Sequence, residues 1–158
     1  MQSKLGTAVS LKNLVLPRNN HWLKRALLVF TFILFDYFAT LAFCRAPYEE
    51  ANPFARTFME SFGIPLGLTM FVVIMNLPIY VTFTLDSNIV RLPHKVAAVT
   101  EPLVDIMFAW FVAGVHFNGG TSWFWHAPEL TRQTLGAILY LVTAVILIKS
   151  HGSRHGNC

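Results

Sequence analysis

The sequence predicts an all-α integral membrane protein, a bundle of four transmembrane helices with both termini in the cytoplasm. Three observations carry this reading. Of the 158 residues, 54% are hydrophobic and only 13% charged, against roughly 25% charged in soluble domains, and the mean hydropathy is +0.52. Apolar runs long enough to cross a hydrocarbon core of about 30 Å recur along the chain. The basic residues are sorted to one side of those runs, as topology signals are.

Residues 1–21 form a basic N-terminal segment, either an unstructured tail or an interfacial helix that sets Lys4, Lys12 and Arg18 among lipid headgroups. Pro17 ends any helix there. The transmembrane domain covers residues 22–149, and residues 150–158 are a short cytoplasmic tail. Trp22 to Cys44 is the first span. Lys24-Arg25 ahead of an apolar run also has the look of a signal peptide, and Leu41-Ala42-Phe43-Cys44 imitates a bacterial lipobox. Phe43 stands where that motif needs a small residue, and Asp36 interrupts the apolar region, so the segment reads as a retained span.

Arg45 to Phe62 is an outer loop with a short helix starting after Asn52-Pro53, since Asn is a good cap and Pro suits a first helical position. Gly63 to Leu85 is the second span, interrupted at Asn76-Leu77-Pro78, where Pro kinks the helix and Asn76 is placed to bond to a neighbour. After a short loop with Arg91, Pro93 and Lys95, Val96 to Phe117 makes the third span, with Glu101 and Asp105 near its start. Asn118-Gly119-Gly120-Thr121-Ser122 reads as a turn-rich loop, continued by Trp123-Phe124-Trp125-His126, whose aromatics suit a membrane–water boundary. Arg132 to Lys149 is the fourth span.

Nine of the twelve Lys and Arg residues fall on the inner side of this arrangement; Arg45, Arg56 and Arg132 fall on the outer side with Glu49, Glu50, Glu60 and Glu129. That bias places both termini inside. It also accounts for the net charge of +4 without a nucleic acid, for which neither a basic face nor a binding motif is present. Cys44 and Cys158 fall on opposite sides of the membrane and match no zinc or redox spacing. Gly114, Gly119 and Gly120 make no nucleotide loop, because no strand, lysine and helix start follow in the required order.

The chemistry is concentrated in polar residues inside the spans. At 1.5 Å per residue, Asp36 lies roughly 5 Å to the outer side of its span centre, and Asn76 and Asp105 lie within about 3 Å of theirs. Asp36, Thr40 and Cys44 share one helix face. Glu101, Asp105, Phe108, Val112 and His116 share another. An acid turned towards lipid costs a few kcal/mol even on the lenient insertion scale, so these faces converge inside the bundle. The predicted buried polar site is Asp36, Thr40, Glu50, Asn52, Asn76, Glu101 and Asp105. Its metal-ligating candidates are His116, Asp36 and Asp105, a donor set suited to zinc or another transition metal.

Asp36-x-x-x-Thr40 followed by Glu50-Ala51-Asn52-Pro53 is similar to the signature of a family of small prokaryotic multi-helix membrane proteins, a domain of unknown function. In that family an Asp-x-x-x-Thr in the first span precedes a Glu-x-Asn-Pro before the second. The resemblance spans residues 28–83. It implies a multi-helix domain of the prokaryotic cytoplasmic (inner) membrane with a polar site made by Asp36, Glu50 and Asn52, and it implies no activity. The function expected is that of an accessory subunit of a larger membrane complex, with the lipid bilayer and other membrane subunits as partners. Two alternatives stand beside it: a membrane-embedded enzyme or metal-binding protein using Asp36, Glu50, Asp105 and His116, and an ion- or proton-conducting component.

Overall fold

In the computed structural model, residues 20–88, 99, 103 and 106–152 are described. The N-terminal segment up to Asn19, the middle loop with Arg91 and Lys95, Glu101, Asp105 and Cys158 lie outside them. All regular structure among the described residues is helical. Helix α1 runs Asn20–Phe43, and a 3-10 turn covers Pro47–Glu49. Helices α2 (Pro53–Phe62) and α3 (Ile64–Asn88) follow, separated by Gly63 alone. A π-helical segment, Phe108–Gly114, continues directly into α4 (Val115–Ser122), and α5 is Glu129–Gly152.

Three of these helices are long and apolar enough to cross a membrane: Leu23–Phe43, Ile64–Val81 and Glu129–Leu147. Their outward surfaces carry large apolar side chains such as Leu27, Phe38, Val73, Leu77, Val142 and Ile146. So much exposed apolar surface is incompatible with an aqueous surround.

Side-chain contacts set the helix directions. Lys24 Nζ donates to the Leu147 carbonyl at 3.1 Å, so the start of α1 lies beside the end of α5. Tyr37 and Thr69 share a hydroxyl hydrogen bond of 2.9 Å, and the Phe30 and Tyr80 rings meet at 6.1 Å, so α3 runs back along α1. The π segment and α4 run parallel to α1, with the Phe35 and Phe117 rings stacked at 5.9 Å.

The central core mixes alanines with a few larger side chains where the helices cross. Ala26, Val29 and Ile33 of α1 meet Ala109, Val112 and Ala113 of the π segment and Ala137, Tyr140 and Ala144 of α5. Between membrane helices the hydrophobic drive is weak, so close backbone approach and dispersion must hold the bundle. A second cluster, Cys44, Met59 and Leu68, fastens α2 across the ends of α1 and α3.

Three expectations are corrected. Asn118-Gly119-Gly120-Thr121-Ser122 is not a turn but the body of α4. Its glycines serve proximity rather than a bend: a Cβ on Gly119 would stand 2.6 Å from Asp36 Oδ1, and one on Gly120 2.6 Å from Phe35 Cε1. Helix α3 is not interrupted at Asn76-Leu77-Pro78 but runs through Pro78. Asn76 is buried and donates to the Val72 carbonyl of its own helix at 2.8 Å. The last helix begins at Glu129, three residues before the expected Arg132, because the Pro128 carbonyl accepts from the Thr131 and Arg132 amides.

Gly67 is the tightest test of this packing, since a Cβ there would collide with the Phe58 carbonyl of α2. Gly67→Ala is expected to lower the unfolding free energy in detergent by about 1–3 kcal/mol. Leu66→Ala, at an exposed neighbouring position, serves as the control and changes it by less.

Candidate functional site

The site is built on one face of α1. Arg25, Val29, Ile33, Thr40 and Cys44 are all buried, and Asp36 falls on the same stripe, with its side chain 25% exposed. Spacings of three and four residues keep one face of a helix towards its neighbours. This stripe carries a cation near its start and an anion eleven residues on, separated by roughly 16 Å of rise.

Asp36 Oδ2 lies 2.8 Å from His116 Nδ1 of α4. The histidine side chain is 21% exposed, so both partners are mostly withdrawn from solvent. An ionised carboxylate accepts, so this contact suits the tautomer with Nδ1–H donating and leaves Nε2 as the ring's acceptor nitrogen. Contact is this close because Gly119 presents no side chain to the Asp36 carboxylate. One turn further along α1, Thr40 Oγ1 accepts from Trp123 Nε1 at 3.2 Å. Asp36 and Thr40 therefore each reach across to the polypeptide around α4.

The segment between α1 and α2 closes over this end of the bundle. Glu49 Oε2 accepts from the Arg45 amide at 2.8 Å and the Ala46 amide at 3.3 Å. Glu50 Oε1 accepts from the Asn52 amide at 2.9 Å. Asn52 in turn caps α2, its Oδ1 accepting from the Phe54 amide at 3.0 Å and the Ala55 amide at 3.4 Å. The Arg56 guanidinium donates to the Glu50 carbonyl. The Glu50 carboxylate and carbonyl and the Asn52 side-chain oxygen thus each have a local structural task.

Burial raises the Glu50 carboxyl above its ordinary range; the Asn52 amide opposes this, the Asp36 charge adds to it, and Arg56 offsets part of it. Glu50 and Asp36 are therefore electrostatic neighbours although they lie on different segments. Burial also raises the Cys44 thiol, with Glu50 and Glu49 adding to the effect, while its bond to the Ala46 carbonyl at 3.3 Å acts in the opposite direction.

The residues singled out from the sequence separate into groups. Asp36, Thr40 and His116 lie together with Glu50 as a charged neighbour; Asn52 serves as a helix cap, and Asn76 is bonded within α3. Glu101 and Asp105 fall outside the described residues. Among the described residues, no three His, Cys, Asp or Glu side chains gather in a group able to hold a metal ion. The sequence reading missed Trp123 as the partner of Thr40, Gly119 as the contact that admits Asp36, and Arg25 as a core residue. The spacing of Arg25 to Val29 and Ile33 was the available signal for the last. It also missed Arg132, whose Nε donates to Asn118 Oδ1 at 2.8 Å and whose Nη1 donates to the Trp125 carbonyl at 2.8 Å and to the Ala127 carbonyl. That clamp holds the Trp123–Pro128 loop in place beside the site.

Comparison with models of protein families, with curated proteins and with solved structures gives no match.

Two outcomes follow from the geometry. A double-mutant cycle with Asp36→Asn and His116→Gln, read from unfolding in detergent, is expected to give a coupling energy of about 0.5–2 kcal/mol, the range of hydrogen bonds between membrane helices. A cycle pairing Asp36→Asn with Thr57→Ala is expected to give none.

Glu50 supplies the pH dependence. Its folded-state value is raised, so its contribution to stability is fully present below the ordinary carboxyl range and is lost as pH rises through the raised value. Glu50→Gln is expected to flatten the fall in stability between acidic and neutral pH and to make the protein more stable than the wild type at neutral pH. Unfolding curves recorded across that interval check the sign.

Proposed function

We propose that this chain is a four-span protein of the prokaryotic cytoplasmic membrane, with both termini inside. On this reading it acts as an accessory subunit that contributes a proton-binding couple, Asp36 and His116, to a larger membrane complex. The observation that carries the reading is the 2.8 Å contact between Asp36 and His116, made within a bundle whose outward faces are apolar. Ionisable side chains inside a membrane domain are costly, and when they pair with one another they mark proton and ion sites more often than structural ones.

The proton chemistry follows from the geometry. With Asp36 holding Nδ1–H, a proton is taken up at Nε2, and the resulting imidazolium is neutralised by the carboxylate beside it. No charge then remains uncompensated in a poorly solvated place. Glu50, on the loop side, is the next carboxyl in line. The pattern Asp36-x-x-x-Thr40 with Glu50-x-Asn52-Pro53 is, on this reading, the sequence form of one site: the acid, its Trp-bonded neighbour and the cap that covers them.

The fourth span is assigned to the segment leading through the π helix into α4, which runs parallel to α1. The nine-to-three distribution of basic residues supports the inner placement of both termini. The subunit role is supported by the apolar outward surfaces of α3 and α5, which offer lipid or neighbouring helices a broad contact.

The test uses Trp123, bonded to Thr40 one turn from Asp36. With Trp22, Trp110 and Trp125 replaced by Phe and Glu50 by Gln, the remaining fluorescence reports on the site alone. A sigmoidal pH response is expected, lost in Asp36→Asn and in His116→Gln. A response that persists unchanged in the double variant rejects the couple as the proton-binding centre.

A further inference from the structure

Helix α2 has an apolar arc wider than the core can use. At 100° per residue, Phe54, Phe58 and Phe62 form one stripe, Ala55 and Met59 lie on one side of it, Thr57 and Ser61 border it on the other, and Arg56 and Glu60 lie opposite. The core takes Ala55 and Met59, which are 2% and 1% exposed. Phe54 and Phe62 remain 68% and 51% exposed. Phe58 bridges the two regions, its ring 6.4 Å from Phe62 and 6.0 Å from Phe71 of α3. Two phenylalanines on one stripe, bordered by a polar arc, therefore remain largely exposed among the described residues.

We propose that the Phe54–Phe58–Phe62 stripe docks into the outer leaflet of the bilayer at the boundary between headgroups and acyl chains, making α2 a lipid-anchored cap over the Asp36–His116 site. Three observations choose phospholipid as the occupant. The stripe is continuous with a spanning surface: Gly63, at φ 80°, is the single residue between α2 and the span Ile64–Val81, and Phe58 packs on that helix. Ten residues rise only about 15 Å, half of a hydrocarbon core, so α2 cannot cross it and suits its edge. The same end of the bundle exposes Tyr48, Phe124 and Trp125, the residue types that collect at membrane interfaces.

The polar arc fits this placement. Thr57 and Ser61 direct their hydroxyls to the carbonyls of Pro53 and Thr57 in their own helix. Arg56 is tied to the Glu50 carbonyl, and Glu60 is exposed. Through Arg56 and the Asn52 cap, a helix seated in lipid is joined to the segment that carries Glu50. Lipid contact and the cover over the site are thus one mechanical unit.

This inference rests on the membrane-spanning reading above, and the experiment separates the two. Single cysteines at Phe54, Phe62, Glu60 and Val73, in a Cys44→Ala, Cys158→Ser background, are spin-labelled in phosphatidylcholine–phosphatidylglycerol vesicles. All four positions are exposed, so the labels leave the core intact. Relaxation by oxygen, which partitions into lipid, is compared with relaxation by a water-soluble nickel complex. The expected result is an oxygen-to-nickel ratio at Phe54 and Phe62 several-fold above that at Glu60 and below that at Val73, which lies in the middle of its span. Ratios at Phe54 and Phe62 equal to Glu60 would place the stripe in water and overturn the proposal. Exclusion of both reagents there would mean that a protein partner or a second copy covers it, which also overturns it. If Val73 itself behaves like Glu60, the spanning reading fails and the proposal with it.

Discussion

The arrangement depends on one constraint: Asp36 occupies an apolar helix, and its carboxylate needs a partner that the helix itself cannot supply. Removing an ionised carboxylate from water costs several kcal/mol unless opposite charge or hydrogen bonds replace the lost hydration. His116 provides that replacement at 2.8 Å, but only if α4 comes almost into backbone contact with α1. Gly119 and Gly120 permit the approach. Each glycine in a helix sacrifices about 0.5–1 kcal/mol relative to alanine, so the pair is tolerable only because the close crossing returns packing and a satisfied acid.

The same demand orders the rest of α1. Its inward stripe alternates charged, apolar and hydroxyl groups: Arg25 is buried near one end, Val29 and Ile33 lie in the alanine-rich centre, Asp36 meets His116, and Thr40 meets Trp123. The π segment lies immediately before α4 on the partner helix. Widened turns of this kind re-aim the residues that follow and recur at functional sites; here His116 is the second residue beyond it. Alanine and glycine dominate the segment's buried face, so the irregular turn is accommodated by proximity to α5 rather than by large side chains.

Much of this was legible from residue order alone, for a simple reason. An acid in an apolar run stands out whatever its neighbours, and Asp36 with Thr40 and Cys44 defines a face by arithmetic. His116 was visible on its own helix for the same reason, as the last member of an inward stripe. What the arithmetic could not supply was pairing between helices. Asn118-Gly119-Gly120 has the local chemistry of a turn, and only the position of Asp36 opposite it shows why a helix continues there. In sequence Arg25 reads as a flanking topology charge, because Lys24 precedes it and the two look alike. In the bundle, Lys24 reaches the Leu147 carbonyl at the helix end, while Arg25 points inwards on the stripe of Val29 and Ile33.

The loop before α2 shows how two kinds of constraint become one. Asn52 and Pro53 are a helix start, a purely local requirement, and Glu50 shares that turn because its side chain accepts the Asn52 amide and its carbonyl receives Arg56. The geometry that begins α2 therefore also fixes where Glu50 stands, close enough to Asp36 for the two charges to oppose one another. A substitution that merely loosened the cap would change the electrostatics of the site without touching Asp36 or His116. Local helix chemistry and the electrostatics beside the Asp36–His116 contact are in this way linked through Glu50-Ala51-Asn52-Pro53, which is why those four residues must be read as a unit rather than as a loop beside a site.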